Sequence, residues 1–149
     1  MTQAQLQIPI KVWYKPLPLL PNIRWPILEV LLSSNNIVLP QPVLSLVDSG
    51  ASMSILHTDL ANIFGFTQSN LGRPITATSV SGSYKSWRIP KPIEVNIYGH
   101  SFSFTFEVTD NPNLVWPCIL GEDSIFQVAR IDFQKYKGFF EIRFRQDLH

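Results

Sequence analysis

An apolar stretch, Leu44-Ser45-Leu46-Val47, runs straight into Asp48-Ser49-Gly50-Ala51-Ser52. A carboxylate delivered by a strand end, beside a hydroxyl residue and a glycine, is a candidate acid–base group. Hydrolysis by carboxylates needs one group to take a proton from water while another gives one to the carbonyl under attack. Two carboxyls within about 3 Å cannot both ionise easily, so they share a proton, and their apparent pKa values belong to the pair. The chain supplies this motif once. By itself the tripeptide is weak evidence, because Asp-(Ser/Thr)-Gly arises by chance in roughly one chain in ten or twenty of this size. It is also good turn chemistry.

A second segment, Cys118-Ile119-Leu120-Gly121-Glu122-Asp123, repeats the pattern of an apolar strand meeting a glycine, here before a short helix. Between the two, Val80-Ser81-Gly82-Ser83 reads as the tip joining strands at Ile75 to Val80 and Ile89 to Tyr98. Short strands punctuated by turns fill most of the chain: Ile27 to Leu32, a turn at Ser33-Ser34-Asn35-Asn36, then Val43 to Val47. Thr58 is the expected N-cap of a short helix stopped by Gly65. Phe102, Phe104, Phe106 and Val108 alternate with Ser103, Thr105 and Glu107 and predict one half-buried strand over 101–108. A short helix is expected within 121–129 and closing strands at 130–133 and 139–144. This pattern predicts an all-β, closed-barrel-like domain with one or two short helices. Pro9, Pro16, Pro18, Pro21 and Pro26 crowd the first quarter, so residues 1–23 read as a Pro-rich extended arm with one short strand at Ile8 to Tyr14, and 24–149 as the domain proper.

The 149 residues fit one domain. Charged residues make up only 15% of the chain against 45% hydrophobic, which points to surface covered by a partner. With a net charge of +1 and no Lys/Arg cluster, nucleic acid and anionic membranes are not the expected partners. One cysteine, no basic-then-apolar leader and no apolar run of about eighteen residues predict a soluble, cytoplasmic protein.

The hydrophobic strand into Asp-Ser-Gly-Ala, the glycine-tipped hairpin and Ile-Leu-Gly before a helix occur here in that order, spanning Arg24 to Phe144. The combination resembles the retropepsin-like aspartic proteases, the single-lobe family that includes the retroviral enzymes. The resemblance implies an aspartic endopeptidase that hydrolyses peptide bonds through water, with Asp48 as the catalytic carboxylate of each of two copies in a two-fold homodimer. Ser49, Gly50 and Ala51 would support the active-site loop, and Val80, Ser81, Gly82 and Ser83 would form a flap over an extended peptide substrate. Ile119 and Leu120 would pack beneath the loop, and Gly121 would let the helix start close to it. No metal or organic cofactor is implied. The alternative is a catalytically silent dimerisation or peptide-binding module of the same fold.

Two features depart from the family pattern. Viral members pair an acid after the Ala with an Arg after Ile-Leu-Gly; Ser52 and Glu122 stand there instead. The Pro-rich arm also exceeds the compact viral form. Phe139 to Phe144 is the candidate for an intersubunit sheet, as an apolar strand on an exposed edge. Asp123 reads as a solvated or capping residue, and Cys118 as an inert core residue. His57, His100 and His149 share no metal-site spacing, and Trp87 is the tryptophan placed to line a cleft.

Overall fold

The computed structural model describes residues 8–79 and 82–146, so Val80, Ser81, His149 and residues 1–7 of the arm lie outside the described residues. The chain opens with β1 (Ile10–Trp13), β2 (Lys15–Leu17), β3 (Leu20–Trp25) and β4 (Ile27–Ser34). Next come β5 (Ile37–Val38), β6 (Val43–Val47), β7 (Ile55–Leu56) and helix α1 (Thr58–Ile63). A hairpin of β8 (Ile75–Ser79) and β9 (Gly82–Arg88) precedes β10 (Ile93–Ile97), β11 (His100–Phe104), β12 (Glu107–Thr109) and β13 (Cys118–Leu120). Helix α2 (Ile125–Val128), β14 (Ala129–Gln134) and β15 (Phe139–Phe144) complete the described elements.

Local chemistry explains the tight corners. Asn35 and Asn36 both take positive φ (51° and 63°) and close β4 onto β5, while Tyr98 and Gly99 (49° and 85°) close β10 onto β11. Both are two-residue turns whose twist suits antiparallel strands, and Asn and Gly tolerate that backbone best. Helix α1 is capped by His57 and not by Thr58: the His57 Nδ1 accepts the Asp59 N–H at 3.1 Å. Thr58 instead donates its hydroxyl to the Thr109 carbonyl at 3.0 Å.

Most strands join one ten-stranded sheet in the order β11-β10-β4-β6-β13-β7-β12-β9-β8, with β5 added to β4. The expected closed barrel does not form, because the sheet ends at β11 on one side and β8 on the other with no pairing between them. The alternating run over 101–108 is two strands. After Phe104 the chain leaves β10, and β12 resumes beside β7 and β9, although Phe104, Phe106 and Val108 are all buried.

The segment read as an arm supplies three strands where one was expected. β2 and β3 pair only with each other, a setting in which Pro16 and Pro21 cost no ladder bond in a larger sheet. β1 pairs with β15, and Val12 and Tyr14 enter the main core. That pairing overturns the exposed-edge expectation for Phe139 to Phe144. β15 is the middle strand of a three-stranded sheet, with Ile142 opposite Ile10 on one side and Ile131 on the other. Both of its hydrogen-bonding edges are used.

Alternating strands bury one face in a large core that includes Leu28, Val30, Leu56, Phe106, Leu120, Phe140 and Phe144. A smaller cluster of Leu17, Ile27, Trp116 and Ile119 gathers on the opposite face, with Ala51 packed against it. Among the described residues no helix is long and apolar enough to cross a membrane.

Candidate active site

The placement of Asp48 follows from strand order. β13 lies between β6 and β7, parallel to β6 and antiparallel to β7, so the loop joining β6 to β7 must cross the end of β13. Asp48 is the first residue of that loop. Its N–H donates to the Leu120 carbonyl at 3.0 Å, extending the β6–β13 ladder by one bond, while the Val47 N–H donates to the Pro26 carbonyl at 2.9 Å. The Ala51 N–H returns to the Asp48 carbonyl at 3.2 Å, closing a turn.

Within the turn, the Asp48 Oδ1 accepts the Gly50 N–H at 2.9 Å, which aims the carboxylate. A Cβ on Gly50 would stand 3.2 Å from that oxygen, so the glycine keeps the approach open. Asp48 is half-buried, with Ser49 and Gly50 exposed beside it. A half-buried carboxylate with one oxygen held by an amide can still present its other oxygen to water or substrate.

The crossing is a close one. A Cβ on Gly121 would fall inside the Ala51 carbonyl oxygen and 3.1 Å from that of Met53. Glycine therefore fits here for lack of space, not for an unusual φ. The Glu122 N–H donates to the same Ala51 carbonyl at 2.8 Å. Ile119 packs in the small cluster with Ala51, and Leu120 is fully buried in the main core.

Sequence reasoning missed the brace behind the loop. Asp123 is half-buried and does not cap the helix: its Oδ1 accepts the Ser54 N–H at 2.9 Å and the Ser54 hydroxyl at 2.6 Å. The Ser54 oxygen in turn accepts the Gly121 N–H at 3.0 Å and lies 2.7 Å from the Ser124 hydroxyl. Ser54 and Ser124 are completely buried. This network ties the two sequence segments together from behind, while Ser52 and Glu122 remain exposed and make no ion pair with each other. The hydroxyl and acid flanking the two motifs were the only available signal.

A cavity of about 410 Å³ opens beside Asp48. Its walls include Tyr14, Trp25, Pro26 and Leu46, with the cations Arg24 and Lys135 at the same opening. Burial holds the Tyr14 phenol above its ordinary range. Of the expected flap residues, Gly82 and Ser83 form the outermost described rungs of the β8–β9 hairpin, opposite Ser79 and Thr78. Trp87, the tryptophan expected at a cleft, is 5% exposed near the hairpin base. Cys118 is fully buried, and burial pushes its thiol up to about 12, leaving it protonated and unreactive. His100 lies against the Phe144 ring, with centroids 4.6 Å apart.

No protein-family model matches the sequence, and no curated protein does either. Solved structures do match. A retropepsin-like aspartic protease from Rickettsia conorii superposes with a TM-score of 0.61 at 18% identity, covering 88% of this chain and 97% of that one. The retroviral protease-like domain of Ddi1 from Leishmania major gives 0.53 at 23% identity, covering 83% and 98%. The chain has the retropepsin-like fold.

Proposed function

We propose that this protein is an aspartic endopeptidase, active as a homodimer in which Asp48 and the partner's Asp48 form the catalytic pair. The observation that carries the reading is the placement of Asp48. It ends a buried strand, is oriented by the Gly50 amide, is half-exposed at a cavity, and stands in a loop that Gly121 and the Ser54–Asp123 pair hold from behind. That is a braced, accessible carboxylate in a fold whose solved neighbours include a retropepsin-like aspartic protease and a retroviral protease-like domain.

The chemistry follows from two such groups sharing one proton. The ionised carboxyl takes a proton from a bound water whose oxygen attacks the peptide carbonyl carbon. The protonated carboxyl gives its proton to the carbonyl oxygen. Collapse of the tetrahedral species breaks the C–N bond as the pair gives its proton to the nitrogen and takes one from a hydroxyl of that species, leaving one shared proton on the pair. Ser49 would support the loop across the two-fold axis, and the β8–β9 hairpin with Val80 and Ser81 would cover an extended peptide. A single buried cysteine suits a reducing compartment such as the cytoplasm.

The test compares wild type with Asp48→Asn on a mixed peptide library, with sedimentation velocity on both. The asparagine variant is expected to lose about a thousandfold or more in turnover while remaining dimeric. Equal cleavage by both proteins, or a wild type that stays monomeric with and without peptide, would sink the proposal. Binding of extended peptides without cleavage at any pH would favour the silent-module reading.

A further inference from the structure

The cavity beside Asp48 has a charge imbalance that the hydrolytic chemistry does not use. Arg24 and Lys135 both line it, both are exposed, and neither has an acidic partner among the described residues. The neighbouring cation Lys15 differs, because it pairs with Glu29 at 3.5 Å. Asp48 is the only acidic side chain in the cavity lining. In a pair that shares one proton, each subunit carries on average half a negative charge there, against two positive ones.

The backbone at each cation is held in place. Arg24 lies opposite Pro16 in the β2–β3 ladder, two residues before Pro26, whose carbonyl accepts the N–H of Val47, the residue preceding Asp48. Lys135 opens a single 3-10 turn closed by the Gly138 N–H on the Lys135 carbonyl at 2.9 Å, and Gly138 also accepts the Tyr14 N–H at 2.9 Å. Two like charges brought to one cavity with aromatic and apolar walls repel each other until an anion joins them. An anion entering there exchanges water for a fork-shaped guanidinium and a point-charge ammonium.

We infer that this cavity is a subsite for an acidic side chain of the substrate, and that Arg24 and Lys135 direct cleavage to peptides with Glu or Asp within two residues of the scissile bond. The inference rests on the endopeptidase reading for its substrate class, but the binding it describes can be measured without turnover. One or two charge-assisted hydrogen bonds correspond to a preference of roughly tenfold to a hundredfold for Glu over isosteric Gln.

The experiment uses the full chain and matched peptides that differ only by Glu or Gln near the bond. For wild type, kcat/KM is expected to favour the Glu peptide by that factor. The ratio should fall to about one in Arg24→Gln/Lys135→Gln, and Arg24→Glu/Lys135→Glu should favour a matched Lys peptide instead. In parallel, fluorescence anisotropy measures binding of the same peptides to Asp48→Asn protein, where the Glu preference should weaken with added salt.

If no peptide is cut but the Glu preference in binding is present and vanishes in the double Gln variant, the subsite stands and the hydrolytic reading falls. If Asp48-dependent cleavage occurs with a Glu-to-Gln ratio of one, or the double variant keeps the wild-type ratio, the subsite inference falls and hydrolysis stands. Absence of binding by every peptide overturns the subsite. So does dissociation of a folded double variant into monomers, which would assign both cations to the subunit interface.

Discussion

The loop that carries Asp48 and the β8–β9 hairpin are both connections between strands, yet they are built on opposite plans. The loop over 48–54 is fastened at several points: Asp48 to Leu120, Ala51 to Glu122, and Ser54 to Asp123 and Gly121. Buried apolar groups lie beneath it on both faces of the sheet. The hairpin is held at its base, where Trp87 and Ser86 are buried, Ser86 donates to Glu107 at 3.0 Å and the Lys85 N–H donates to Asp110 at 2.7 Å. Among the described residues no further strand lies outside β8, and Ile75 is 63% exposed. Positioning a reactive carboxylate needs fixed geometry, whereas admitting a peptide needs an element that can open at little cost. Under the proposed function, such a contrast suits a cleft with a movable cover.

The harshest way to break the comparison is at Gly121. In Gly121→Ala the new methyl meets backbone oxygens of the loop, not a side chain that can swing away, so the loop must shift. Overpacking of this kind is expected to cost about 3 kcal/mol, a fall in melting temperature of roughly 10 °C, with activity lost alongside stability. Ser54→Ala comes next. It removes the hydroxyl donor to Asp123, leaving the backbone one, and strands the buried Gly121 N–H, for a loss of about 2 kcal/mol by urea unfolding. A melting temperature unchanged in both variants would show that the loop is not braced from behind.

The hairpin should respond the other way. Gly82 has φ +129°, a conformation that side chains rarely adopt, and open space around its Cβ position. Gly82→Ala is therefore expected to lose only about 1 kcal/mol of stability. Under the proposed function it lowers kcat/KM for peptides by a larger factor than its stability loss alone would produce. A variant that melts several degrees lower while cutting peptides normally would reverse the assignment of rigid and movable parts. Hydrogen exchange sharpens the same point: amides on the outer hairpin rungs should exchange by local opening, and those of Asp48 and Ala51 near the limit of global unfolding.

The parts of this contrast differ in how far they can be read from the residues. The strand ends before Asp48 and Gly121 were legible because an apolar run stopping at an acid or a glycine is a local signal. The turn expected at Ser33-Ser34-Asn35-Asn36 was legible for the same reason, and it closes on Asn35-Asn36. The Ser54–Asp123 pair was not, since 69 residues separate its partners and neither type is unusual in a loop. The partner switch after Phe104 hid behind an alternation that continues unbroken while the chain changes neighbours. Placing β15 failed on distance too: its neighbour β1 comes from the other end of the chain, in a segment whose prolines argue against strands. Strand order, and with it the open sheet, depends on these long-range pairings, which periodicity does not encode.

The mildest perturbation concerns Cys118, which lies on β13 under the rigid loop and so reports when that region opens. At neutral pH a thiol reagent should label it only at the rate of global unfolding, because the sulfur is fully buried and protonated. Alkaline pH turns the same group into a probe of stability. Burial raises its pKa from 9.0 to about 12, so the unfolded chain gives up the thiol proton first. The associated stability is fully present below about pH 9 and is lost as pH rises towards 12, with a slope of at most about 1.4 kcal/mol per pH unit. Cys118→Ala lacks this contribution, so wild type should lose stability more steeply than the variant across that window while both show the same neutral-pH activity. Parallel slopes would mean that water reaches β13 in the folded protein, and the distinction between a fixed loop and a movable hairpin would then lose its physical basis.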